Sequence, residues 1–263
     1  MGVVRDEEEE PYVLYEVDTE GSVAILTFNR PKSMNGWSTN LGTAYFNCLE
    51  RAESDPKIHV IVVRGAGRAF CAGADLRSTQ KAVGGSDDRP MTFPTTINKP
   101  IIACINGACA GMGLQQALCC DIRFAAKNSK FTTAFARRGL IAELGISWLL
   151  PHTIGRGHAM DLLLSARTFM ADEAKQLGLI SQVFHEDELL EETLRYARDI
   201  ATNVPGSSLA VIKQQVNDHP QLSLNEALSR SNKLMQISTT LPNFKEGIKS
   251  FMKKRVSYLL SPA

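Results

Sequence analysis

Apolar and polar positions alternate along 12–18 and 22–28 in the manner of half-buried strands, and Thr19-Glu20-Gly21 between them predicts a hairpin. A loop follows at 30–36, marked by Pro31 and Gly36. From Ser38 the period changes. Leu41, Ala44, Tyr45, Cys48 and Leu49 fall on one helical face, with Ser38 placed to cap a helix that runs to about Ser54. Residues 59–63 and 100–105 are short apolar runs rich in β-branched side chains, as in strands covered on both faces. Between them, 77–98 is polar and broken by Gly84, Gly85, Pro90 and Pro94, and is expected to be either mobile or a partly helical lid. The small residues of 107–113 lead into a short helix ending near Cys120. Residues 121–125 and 180–184 read as strands, and 156–165 and 171–177 as helices. Beyond Glu186 the pattern is helical throughout, with breaks at Pro205-Gly206, Pro220 and Pro242. This order predicts an α/β core over 12–203 and a helical region over 204–263. The charged run Asp6 to Glu10 makes 1–11 an acidic, disordered start by expectation.

Composition refines this picture mainly by exclusion. A chain of 263 residues, 44% apolar and 22% charged, can build a core without disulfides or metal. Lys and Arg total 29 against 28 Asp and Glu, so no global basic field suggests nucleic acid, although local clusters remain available for a small anion. The six cysteines contain no C-x-x-C and sit mostly in apolar runs, which predicts buried, reduced thiols rather than a disulfide framework or metal site. The first residues lack the basic-then-apolar order of a signal peptide. The longest apolar stretch, 101–120, is interrupted by Asn106, three glycines and Gln115-Gln116. No membrane insertion and a cytoplasmic location are expected.

Two strand-to-turn junctions attract chemical interest, 69–75 and 105–113. Each ends a buried strand in small residues that leave backbone N–H groups sterically accessible. Two converging donors of this kind can stabilise an oxyanion, although glycines at such places serve tight turns equally well. The segments AFCAGADL (69–76), INGACAGMGLQQALCCDI (105–122) and NRPKSMN (29–35) resemble the enoyl-CoA hydratase/isomerase, or crotonase, superfamily in sequence, order and spacing. EGIKSFMKKR (246–255) resembles that family's closing helix. The resemblance implies a spiral of ββα units, a helical trimerisation region, a homotrimer or dimer of trimers, and an acyl-CoA thioester as substrate. It implies no separate cofactor, because coenzyme A is part of the substrate. By the same match, the oxyanion donors fall at Ala72 and Met112. Ala74, Asp75 and Leu76 fall beside the adenosine end of CoA, with Lys32, Ser33 and Met34 near it, and Lys253 or Lys254 at a CoA phosphate.

The family's hydratases share water activation and proton delivery between two glutamates. Here those positions align with Gln115 and Phe135, neither of which can exchange a proton, and both are expected to line the substrate. No Asp or Glu lies between Asp121 and Glu143. Glu143 itself falls where single-carboxylate enoyl-CoA isomerases, and relatives acting on ring-derived thioesters, carry their acid. Leu140, Ile141, Leu144, Ile146 and Trp148 around it predict a desolvated base, whereas composition alone would make it a surface glutamate at a turn. Asp121 reads as structural, Arg137-Arg138 as a solvated pair, with a carboxylate partner or a CoA contact as the alternatives, and His152, His158 and His185 as surface or packing residues without metal spacing. The expected activity is therefore a double-bond shift from 3-enoyl-CoA to 2-enoyl-CoA through a dienolate. Hydration of a 2-enoyl-CoA is the alternative within the family, alongside thioester hydrolysis, dehalogenation or C–C cleavage. A non-catalytic acyl-CoA-binding paralogue is the alternative outside enzymology.

Overall fold

The computed structural model describes residues 10–18, 22–75 and 87–255. In chain order, β1 (Val13–Asp18) and β2 (Val23–Phe28) precede α1 (Thr39–Ser54), β3 (Val60–Gly65) and β4 (Ala69–Cys71). Next come β5 (Ile101–Ile105), β6 (Ala108–Ala110), α2 (Met112–Leu118), β7 (Ile122–Ala126) and β8 (Lys130–Thr132). The chain continues with α3 (Ile146–Ser165), β9 (Phe169–Met170), α4 (Ala171–Gln176) and β10 (Gln182–Phe184). Four helices follow: α5 (Leu189–Asn203), α6 (Gly206–Asp218), α7 (Leu224–Ser238) and α8 (Pro242–Lys253).

The strands divide between two sheets, ordered β1-β2-β3-β5-β7-β10 and β4-β6-β8-β9. β1 and β2 pair antiparallel, Val13 opposite Phe28, and the larger sheet is parallel from β2 onward. The repeating logic is visible in β3–β4, β5–β6 and β7–β8. Each pair gives one strand to the large sheet and the next to the small one, so the chain advances as a spiral. Alternation within each strand sets the layers. Ile61 and Val63 point into the main core with Ile101, Ala103 and Ile105. Val60 and Val62, with Ile102, Cys104 and Phe124, point to the opposite face, which α5 covers with Leu189, Leu194 and Ala197.

Ser38 caps α1 as expected, its hydroxyl accepting from the Leu41 N–H, and the helix buries Leu41, Tyr45, Phe46 and Leu49. α3 is two helical stretches that meet at Gly155, whose backbone (φ 77°, ψ 156°) is not helical; the stretch beyond it is the expected helix at 156–165, and the stretch before it, from Ile146, was not foreseen. The expected hairpin turn at 19–21, the first ten residues of the expected lid (77–86) and the first nine residues of the chain lie outside the described residues. The part of the lid that is described, 87–98, carries a 3-10 turn at Phe93–Thr96. Among the described residues, no helix is long and apolar enough to cross a membrane.

Candidate active site

The two small-residue turns are brought together by β4 and β6, which run parallel with Ala69 beside Ala108 and Cys71 beside Cys109. The approach is close enough to demand glycine. A Cβ at Gly113 would lie 2.1 Å from the Cys71 carbonyl oxygen, and one at Gly73 (φ 106°) would lie 3.3 Å from that of Ala110. The loop after β2 braces the first turn from outside. Asn35, fully buried, accepts from the Arg30 N–H and donates to the carbonyls of Ala66 and Ala69 at 2.9 and 2.7 Å.

Hydrogen bonding within this brace corrects one expectation. The Ala72 N–H donates to the Met34 carbonyl at 3.1 Å, so it is not an open donor. Trp37 and Ala74 form a parallel bridge in which Trp37 N–H donates to Gly73 and Asp75 N–H donates to Trp37. That pattern brackets Ala74 and directs its own N–H away from Trp37. Ala74 is exposed, and its N–H has no acceptor among the described residues. Met112, half-buried, opens α2 after Gly111, and its N–H likewise has no acceptor among the described residues. The open pair is thus Ala74 and Met112. Sequence matching picked the wrong alanine because the direction of an N–H depends on backbone torsion, here the positive φ of Gly73.

Other expected contacts divide. Lys32 and Ser33 form a 3-10 turn with Pro31, Lys32 exposed and the Ser33 hydroxyl donating to the Arg30 carbonyl. The Met34 sulfur accepts from Arg68 Nε at 3.0 Å. Arg68 was not foreseen. It is exposed beside the same loop, and its basic charge within the AFCAGADL approach was the available signal. Asp75, expected at the adenosine, is mostly buried and paired with Arg30 at 2.8 Å. Leu76 lies outside the described residues. Lys253 and Lys254 are exposed at the end of α8. Gln115 and Phe135 are corrections. Gln115 is 0% exposed with its carboxamide engaged by protein groups, and Phe135 packs in the main core. Neither presents a surface to a ligand.

Glu143 sits half-buried in the loop between a 3-10 turn at Ala136–Arg138 and α3. Its carbonyl accepts from the Ile146 N–H, and its carboxylate makes no ion pair or hydrogen bond among the described residues. Leu144 (φ 58°) and Gly145 (φ 82°) are both left-handed, a strained conformation for leucine that fixes the loop's turn into α3. The apolar enclosure expected around the acid is incomplete in the chain alone. Ile146 is buried, but Ile141 is 78% exposed, and Leu140 and Trp148 are also exposed. Asp121 is structural as read, accepting from the Ile101 N–H at 2.7 Å and from Lys213 at 2.8 Å. A groove of about 990 Å³ runs elsewhere, between α6 and the core, and Ala74, Met112 and Glu143 are not part of its lining.

The family model for enoyl-CoA hydratase/isomerase matches residues 18–258. The chain belongs to that family. It is 34% identical to 1,2-epoxyphenylacetyl-CoA isomerase of Escherichia coli over 90% of this chain and 94% of the relative. Among solved structures, an enoyl-CoA hydratase from Mycobacterium marinum is 49% identical, with a TM-score of 0.72, covering 81% of this chain and all of that one. The enoyl-CoA hydratase of Bacillus anthracis superposes with a TM-score of 0.87 at 26% identity, over 95% of this chain and 100% of the other. The architecture is therefore the crotonase fold, and the chain is an enzyme of the enoyl-CoA hydratase/isomerase family.

Proposed function

We propose that this enzyme shifts the double bond of a 3-enoyl-CoA to give the conjugated 2-enoyl-CoA. The observation that carries the reading is a half-buried carboxylate, Glu143, with no ion pair or hydrogen bond among the described residues, while the two hydratase acid positions hold a buried Gln115 and a core Phe135. Glu143 removes a proton from C2 of the thioester, and the electrons move into a dienolate whose oxygen is met by the Ala74 and Met112 N–H groups. The same side chain then returns the proton at C4, leaving the double bond between C2 and C3. Acid–base catalysis of this type contributes about 10²–10⁴-fold, and each oxyanion donor about 10²–10³-fold. Lys32 and Arg68 are suited to the CoA phosphates, with Lys253 or Lys254 as a further cation. The thioester brings its own coenzyme A, so the reaction as written uses no resident cofactor or metal. Relatives named as an isomerase and as hydratases of CoA thioesters both occur, so the choice over hydration rests on the residues at 115, 135 and 143.

The exposed apolar side chains of α6–α8, Phe251 at 83% and Leu228 at 57% among them, support a homotrimer or dimer of trimers. Six free cysteines support a reducing compartment such as the cytoplasm.

A spectrophotometric assay decides the chemistry. A 3-enoyl substrate is expected to gain the conjugated-thioester absorbance, and Glu143→Gln to lose at least ~10² in kcat while binding CoA normally. Loss of absorbance from a 2-enoyl substrate would instead identify a hydratase. No change with either substrate across chain lengths would identify a binding protein.

A further inference from the structure

We propose that Gln115 and Gln116 are positioning residues which fasten the helix carrying the Met112 donor to the loop carrying Glu143, through the carbonyl of Met91. The inference rests on the isomerase reading for its kinetic consequence, though not for its structural one. Both carboxamides are sealed from solvent, at 0% and 1% exposure. Gln115 Nε2 donates to the Met91 carbonyl at 3.3 Å and Gln116 Nε2 to the same oxygen at 2.8 Å. Gln116 Nε2 also donates to Gln115 Oε1 at 2.7 Å, which locks the pair together. The Cys119 thiol, one turn along α2, reaches toward the same oxygen at 3.9 Å.

Gln116 Oε1 is buried with no hydrogen-bond partner among the described residues, while Gln116 Nε2 bonds both Met91 and Gln115. Thr92, next in the chain, has its methyl beside Gly145, so near that a Cβ there would lie 3.1 Å from Thr92 Cγ2, and Gly145 caps α3 two residues beyond Glu143. Hydrogen bonds thus join α2 to Met91, and the placement of Thr92 against Gly145 brings the same segment to the base loop. A carboxamide is required at 115 because a carboxylate of the same shape has no proton to donate to a carbonyl.

Two measurements test this on the full-length enzyme. In the double variant Gln115→Met, Gln116→Met, hydrogen exchange of the 139–145 backbone is expected to rise along with that of Met91. Gln115→Glu is expected to show the same rise. With a substrate deuterated at C2, kcat should fall about 10–100-fold with little change in KM, since small misplacements of reacting groups are costly. The share of label returned to C4 should fall with it. Leu194→Ala, in the separate core beneath α5, serves as the comparison for lost stability. It should lower the melting temperature while leaving the exchange at 139–145 and the label share as in the wild type. Unchanged exchange at 139–145 in the double variant would overturn the proposal. Wild-type enzyme without 3-enoyl turnover would defeat the isomerase reading alone, since the exchange measurement still decides the fastening.

Discussion

Ala72 and Ala74 are the same amino acid two positions apart, and the structure separates them by what their N–H groups face. Replacing the amide of residue 74 by an ester removes one N–H without altering a side chain. The expected result is a kcat lower by about 10²–10³, with the fold intact. The same replacement at residue 72 removes the bond to Met34 and is expected to appear in thermal stability, by about 0.5–1.5 kcal/mol. The cysteines make a second prediction. Burial pushes the Cys71 thiol up to about 12 and the Cys104 thiol to about 11, so neither holds an appreciable thiolate at neutral pH. Alkylation of the native protein at pH 8 is expected to reach the half-buried Cys48 and to spare the five buried thiols, as peptide mapping can check. At this scale the sequence was legible wherever identity decides the chemistry. Gln115 and Phe135 cannot act as acids wherever they point. It was illegible where conformation decides, as for the two alanines and for the depth at which Gln115 is buried.

Longer elements were readable, and of the short ones α4 and β10 were expected while the strands of the small sheet were not. α1 was legible from its cap and stripe, and β3 and β5 from their β-branched runs. The small sheet went unseen because β4, β6, β8 and β9 have only two or three residues each, too few to display a period. Yet this sheet presses the two donor turns together. Gly113→Ala tests that closeness. Its Cβ would meet the Cys71 carbonyl, a backbone atom, so relief requires β4 and α2 to part. A loss of roughly 1–3 kcal/mol is expected in denaturant unfolding, together with a fall in kcat. The joint between α6 and the core has a different character. Lys213 is 8% exposed at its side chain and bonds both Asp121 and the Lys99 carbonyl. Lys213→Met is expected to increase proteolysis after α5 while leaving the donor turns in place, because Asp121 keeps its bond to the Ile101 N–H.

For the molecule as a whole, the sequence announced a helical final part without saying what it covers. The described chain leaves that part largely uncovered, with Ile248 and Met252 on α8 exposed beside Phe251. Sedimentation is expected to give a trimer or hexamer, and Phe251→Asp together with Leu228→Asp to give smaller species. A monomeric wild type would contradict this. The incomplete enclosure of Glu143 belongs to the same scale, since the exposed Leu140, Ile141 and Trp148 flank it in the single chain.

The small sheet also has a consequence for how the protein is made. β9, at Phe169–Met170, pairs antiparallel with β8, and the Gly111 N–H is tethered to Thr132 at the end of β8. During translation, the small sheet therefore lacks its border strand until about two-thirds of the chain has left the ribosome. With synthesis at about 5–20 residues per second, newly made halves wait for seconds with apolar edges uncovered. Chaperone dependence should accordingly concentrate on nascent chains shorter than that threshold.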